Sequence, residues 1–136
     1  MVADGLGTPL VAQLTAANVH DGTPLLELID AIPLVRGRVG APRRRPDAVV
    51  ADKAYHSTFR EVCLHLRGIR PMLPRRGTDE DQGLGVLRWV VERTIAWLHQ
   101  FRRLRVRHER RADIHQAFLS LGCVLICFRT LDPLFC

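Results

Sequence analysis

The order of elements over residues 48–73 constrains the fold more than any other stretch. Ala48-Val49-Val50-Ala51 is a short apolar, β-branched run, the pattern of a buried strand. Ser57 to Arg67 reads as a helix, with Thr58 and Glu61 at capping-box spacing and Val62, Leu66 and Phe59 supplying its core face. Ile69 to Leu73 reads as a second short strand. Upstream, Val2-Ala3 and Leu10 to Leu14 read as two strands around the turn Gly5-Leu6-Gly7-Thr8-Pro9. Thr23 is placed to cap a helix whose first position is Pro24 and whose apolar stripe is Leu25, Leu28, Ile29 and Ile32. An early hairpin followed by strand, helix, strand and helix is an α/β pattern, and it predicts a mixed sheet with flanking helices in one domain over residues 1–136.

Two carboxylates stand out against that frame. Asp52 follows the first buried strand directly, and open α/β sheets place their sites at the carboxyl ends of strands. Glu92 lies in the run from Arg88 to Arg103. On a helix turning about 100° per residue, Leu87, Val90, Val91, Thr94, Leu98 and Phe101 gather on one side. Glu92 then points the other way, with Arg88, His99 and Arg103 around it. A carboxylate amid cations suits a metal ligand or general base acting on phosphate. The plainer alternatives are a surface pair between Glu92 and Arg88, and a turn residue at Asp52 before Lys53-Ala54-Tyr55.

Charge narrows the partners. The net charge is +6, and Lys53 is the one lysine among 20 basic residues, so the cations are almost all arginine. Such a surface implies an anionic partner, most often nucleic acid. Arg36, Arg38, Arg43, Arg44 and Arg45 crowd a Gly- and Pro-punctuated loop, read equally as a solvated tether or a phosphate-contacting loop. Cys63, Cys123, Cys127 and Cys136 form no CxxC pair and read as buried free thiols of a reducing compartment. Asp113 and Gln116 look like a cap for a last helix ending near Leu131. Its apolar core, Ala117 to Phe128, is too short to span a bilayer and reads as buried, so no membrane is expected. Lone His20 and His115 read as structural or surface residues. Trp97 is assigned to packing and Trp89 to an exposed position beside Glu92.

Several motifs fall in the order seen in one family. They are Val50-Ala51-Asp52-Lys53-Ala54-Tyr55, then Arg88-Trp89-Val90-Val91-Glu92-Arg93-Thr94 with Trp97-Leu98, then Phe101 to Arg107 and Glu109 to Asp113. With Asp4 to Leu10 and Asn18-Val19-His20-Asp21, they resemble the DDE transposases of bacterial insertion sequences, most closely the group named after the fifth insertion sequence. The resemblance implies a ribonuclease-H-like domain in which three acidic residues hold two magnesium ions, with manganese as a substitute. It also implies cleavage of DNA at transposon ends and joining to target DNA.

Asp52 matches the second acidic residue and Glu92 the third. Arg88 matches an arginine expected to contact DNA, with Lys53, Arg93, His99, Arg102 and Arg103 as further candidate DNA contacts. The strand bearing the family's first aspartate is expected to be missing at the N-terminus. Asp4 matches an aspartate on the following strand and does not take that role. The chain is therefore expected to be the carboxyl-terminal part of a cytoplasmic, nucleoid-associated bacterial transposase. Alone it should be inactive, with an upstream transposase fragment and a second copy as candidate partners besides DNA. The alternative reading is a non-catalytic, basic DNA-binding remnant.

Overall fold

The computed structural model describes residues 1–20, 22–36, 40–75 and 84–131, the side chains of 84–88 excepted. The chain divides into two compact units: residues 15–88, and residues 1–14 together with 89–136.

The unit of residues 15–88 holds the expected strand–helix–strand succession. Strand β3 (Ala48–Val50) pairs in parallel with β4 (Arg70–Met72), in register Ala48 to Arg70, Val49 to Pro71 and Val50 to Met72. Helix α2 (Thr58–Leu66) makes the crossover between them. Parallel neighbours need such a crossover, so the local sequence order sets the strand direction. Helix α1 (Leu25–Asp30) packs on α2, and Leu25, Leu28, Ile29 and Ile32 are all buried, as their helical spacing predicts. Val49, Leu64, Ile69 and Leu73 complete this core.

The face of α2 differs from the expectation. Phe59, Val62 and Leu66 are exposed, Leu66 by 81%, while Leu64 is fully buried. The helix ends in a tight turn in which the Ile69 amide donates to the Leu64 carbonyl at 3.0 Å, with Gly68 at φ +73°. That turn sends the chain straight into β4, so the side of α2 carrying Leu64 faces the sheet and the apolar stripe one notch away faces outward. The caps differ too. Ser57, not Thr58, precedes the helix and makes no side-chain cap bond, and Glu61 turns its carboxylate to His56 Nε2 at 3.4 Å. Thr23 does not cap α1 either; the helix begins at Leu25 after a backbone turn from His20 to Thr23.

In the other unit, β1 (Val2–Ala3) and β2 (Pro9–Val11) form a short antiparallel hairpin. Among the described residues the strands thus pair as two separate two-stranded sheets, one antiparallel and one parallel, rather than as one mixed sheet. The hairpin turn is organised by Asp4, whose carboxylate accepts from the amides of Leu6 at 2.9 Å and Thr8 at 2.8 Å.

Helix α3 (Leu84–His99) is shorter at its end than the sequence suggested. The amides of Gln100 and Phe101 bond three residues back, Phe101 becomes extended, and a separate turn α4 (Arg102–Arg105) follows. Arg103 therefore does not lie on the Glu92 face. Helix α5 (Ala112–Leu131) runs for 20 residues, longer than the Ala117–Phe128 core, and is long and apolar enough to cross a membrane by length and composition. It is also far from buried: His115, Gly122 and Ile126 are covered, but Leu121, Val124, Phe128 and Leu131 are exposed. A Cβ on Gly122 would lie 2.8 Å from Leu104 Cδ1 and 3.0 Å from Leu98 Cδ2, so this glycine sets how closely α5 seats on its neighbours. Its predicted cap is not formed, because Asp113 pairs with Arg111 and Gln116 reaches the hairpin segment instead.

Candidate active site

Asp52 stands two residues past β3, in extended conformation, and begins a single 3₁₀ turn over Lys53–Tyr55. Its Oδ1 accepts from the Lys53 amide at 2.7 Å, and the side chain is exposed. The turn-residue role and the strand-end position both apply, since one carboxylate oxygen caps the turn.

Beside it lies a cleft of about 650 Å³ lined by His20, Lys53, Ala54, His56, Arg60 and Arg75. Arg60 donates to the Tyr55 carbonyl at 3.1 Å, and its guanidinium sits where a Cβ on Gly22 would fall, at 2.6 Å. His20 Nδ1 accepts from the Gly22 amide at 3.1 Å. Three cationic side chains and two imidazoles around an open cavity make a site for an anion. The sequence reading took Lys53 from this group but missed His20, His56, Arg60 and Arg75. His56 and Arg60 are near in sequence but lie on an extended segment and a helix respectively, so helical periodicity does not pair them; the approach of His20 and Arg75 depends on tertiary structure.

Glu92 is exposed on α3, opposite the buried Thr94 and Leu98, as the periodicity predicts. The two residues after it fasten the helix to the hairpin turn. Thr94 Oγ1 lies 2.8 Å from the Gly7 carbonyl and 3.0 Å from that of Val90, and its one hydrogen serves one of them at a time. Arg93 Nη2 donates to the Leu6 carbonyl at 2.6 Å, and its guanidinium lies over both Trp89 and Trp97, 4.3 and 4.9 Å from the ring centroids. Gly7 has φ +86°, and a Cβ there would come within 3.0 Å of Thr94 Oγ1 and 3.1 Å of Arg93 Nη2. Only glycine suits both the backbone and the space.

Comparison with known proteins adds a family to this geometry. The family model described as "Transposase DDE domain" matches residues 1–127. The chain belongs to the DDE transposase family. A protein of Burkholderia cepacia assigned as the transposase for insertion sequence element IS402 is 60% identical over 131 residues, which is 96% of this chain. The chain spans 62% of that relative's length. No solved structure matches it.

DDE transposases as a family use divalent metal ions, and such hard cations take oxygen ligands. The carboxylates of this DDE chain suit them in kind. In number they fall short: among the described residues, no three His, Cys, Asp or Glu side chains gather into a metal-holding group. Asp4, the remaining acidic residue of the opening motif, is committed to its hairpin turn.

The other candidate DNA contacts of this DDE chain sit in varied settings. His99 and Arg102 are exposed, and Lys53 lines the cleft. Arg93 is engaged with the hairpin and the two indoles, as above. Arg103 donates to Glu109 at 2.5 Å and lies over the Phe118 ring at 5.1 Å. That hydrogen bond holds the Glu109 carboxyl below the usual range. The other Glu109 oxygen is 3.5 Å from buried His115 Nδ1. Arg88 lies on α3, with its side chain outside the described residues. In the arginine-rich loop, Arg43 pairs with Asp47 and Arg45 donates to the Arg67 carbonyl at 3.3 Å, while Arg44 is exposed; Arg38 lies outside the described residues. Cys63, Cys123 and Cys127 are free and half-buried, less covered than their reading as core thiols.

Proposed function

We propose that this chain is part of the catalytic domain of a DNA transposase, carrying two of the three acidic residues that cut and join DNA. Asp52 supplies the second carboxylate and Glu92 the third. The observation that carries this reading is the exposed carboxylate of Asp52 at the end of a parallel strand, beside a cationic cleft, in a chain of the DDE family. Asp52 and Glu92 are the residues that would hold a divalent cation, magnesium or manganese. When bound, such an ion supplies Lewis acidity for in-line displacement at a phosphodiester.

The chain's own residues do the rest. Lys53, Arg60 and Arg75 attract and orient a backbone phosphate next to Asp52. Exposed His99 and Arg102 are further candidate DNA contacts, and the Arg93–Trp clamp with Thr94 fixes the helix that carries Glu92. The first aspartate comes from a polypeptide segment outside these 136 residues. Alone, the chain is inactive, because a two-metal site lacking one of its carboxylates loses the joint activation of attacking and leaving oxygens.

The test is DNA cleavage with magnesium by the chain mixed with the unmatched part of the Burkholderia cepacia relative. The mixture cleaves, neither part alone does, and Asp52→Ala or Glu92→Ala abolishes cleavage. Unchanged cleavage by either variant rejects the assignment.

A second reading, a basic DNA-binding remnant without catalysis, rests on the cationic cleft alone. It is favoured if the chain binds duplex DNA in a salt-dependent way and the mixture never cleaves.

A further inference from the structure

The cleft beside Asp52 holds two imidazoles, and the fold treats them in opposite ways. His20 Nδ1 accepts from the Gly22 amide at 3.1 Å. That bond needs a lone pair on Nδ1, so the proton of His20 sits on Nε2 and the ring is neutral while the bond lasts. Gly22 is buried, and charging His20 would leave its amide without an acceptor.

His56 is arranged for the other state. Its Nε2 is buried and makes no hydrogen bond, yet lies 3.4 Å from Glu61 Oε1. A lone pair turned toward a carboxylate oxygen is repelled by it, so Nε2 carries a proton. The second nitrogen, Nδ1, then decides the charge of the ring, because a proton there makes an imidazolium. Both side chains are only 23% exposed, so water screens this pair weakly.

The charged and titratable groups around His56 come from four places. Glu61 and Arg60 stand on α2, Lys53 on the 3₁₀ turn, His20 ahead of α1, and Arg75 after β4. Lys53, Arg60 and Arg75 attract an anion, while the Glu61 carboxylate opposes one at close range. An imidazolium at His56 offsets that carboxylate, and a neutral imidazole does not.

We infer that the cleft binds its phosphate together with a proton. His56 takes that proton from solvent onto Nδ1 as the anion enters, and returns it as the anion leaves. The inference rests on the reading above that a DNA phosphate occupies this cleft. It makes DNA binding tighter in mild acid through one histidine of the cleft and not through the other.

Calorimetric titration of the full chain with a short DNA duplex tests it. Repeating the titration in buffers of different ionisation enthalpy, at one pH and one salt concentration, counts the protons exchanged. Wild type takes up part of a proton near neutral pH. It binds roughly fivefold more tightly at about pH 6 than at about pH 8, the range in which histidine changes charge. His56→Gln, which keeps a donor toward Glu61, loses both effects, whereas His20→Gln retains both. His56→Arg carries a permanent charge and binds with no uptake and little pH dependence, so the assignment stands on two variants. A wild type that binds no DNA, or binds it without proton uptake, overturns the inference, as does uptake that survives in either His56 variant. Failure of the cleft reading has a separate signature. An unchanged affinity in Arg60→Ala removes that reading and this inference with it; a weakened Arg60→Ala beside a wild type without uptake removes the inference alone.

Discussion

Thr94 Oγ1 sits 2.8 Å from the carbonyl oxygen of Gly7, a hydrogen bond between residues 87 positions apart and fully buried on the threonine side. It ties the helix carrying Glu92 to a turn whose glycine has no room for a side chain. The acidic residue on the outer face of α3 is thus located by what its neighbours do on the inner face.

Replacing that threonine isolates the hydrogen bond from the packing. Thr94→Val keeps the shape, loses the hydroxyl, and should destabilise the chain by about 1–3 kcal/mol through the stranded Gly7 carbonyl. Gly7→Ala should cost about 2 kcal/mol or more, since a left-handed alanine adds roughly 1–2 kcal/mol before any crowding against Thr94 and Arg93. Urea denaturation midpoints measure both, and a Thr94→Val chain as stable as wild type would remove the hydroxyl from the account.

The register of α2 gives a second test. Leu64→Ala should cost about 2–5 kcal/mol, and Leu66→Ala within about 0.5 kcal/mol of nothing. Equal losses at the two positions would mean that Leu66 is covered in solution.

Acid should weaken the Glu109 contact. The Arg103 hydrogen bond holds this carboxyl below its ordinary value of 4.5. A group whose folded pKa is depressed stabilises the fold above its unfolded pKa, and that contribution is lost as pH falls through the folded value. Stability should therefore decline from about pH 5 downward. Asp30, lowered by its hydrogen bond from Arg67, acts in the same direction. Glu109→Gln should lower stability at neutral pH and flatten the acid limb, as read from thermal midpoints between about pH 3 and pH 7.

Arg60 offers a test of the cleft independent of turnover. Arg60→Ala should weaken duplex DNA binding at low salt and reduce the slope of log affinity against log salt by about 1. Fluorescence anisotropy across a salt series reads both; an unchanged slope would place the DNA elsewhere.

Much of this arrangement is legible along the chain, wherever neighbours in sequence decide it. The stripe of α1, the buried Thr94 and Leu98, the exposed Glu92 and Trp89 and both short strands of the parallel pair follow from periodicity. Tertiary contacts overrule local patterns elsewhere. Phe59, Val62 and Leu66 form a better helical stripe than Leu64 does, yet the Gly68 turn into β4 selects the Leu64 side. The caps at Thr23, Thr58 and Asp113 look right by spacing, but backbone turns and ion pairs take their place. At the site, Asp52 could be marked by its strand and Glu92 by its helix. The cleft could not, because His20 and Arg75 are brought to Lys53 by the fold.

The clamp on Arg93 also equips the protein with an optical reporter. Both of its tryptophans, Trp89 and Trp97, stack on that one guanidinium. The intrinsic fluorescence of the chain consequently arises from a single helix, on either side of Glu92. Any event that reseats this helix, arrival of DNA included, should shift the emission of both indoles together, so binding can be followed without a label.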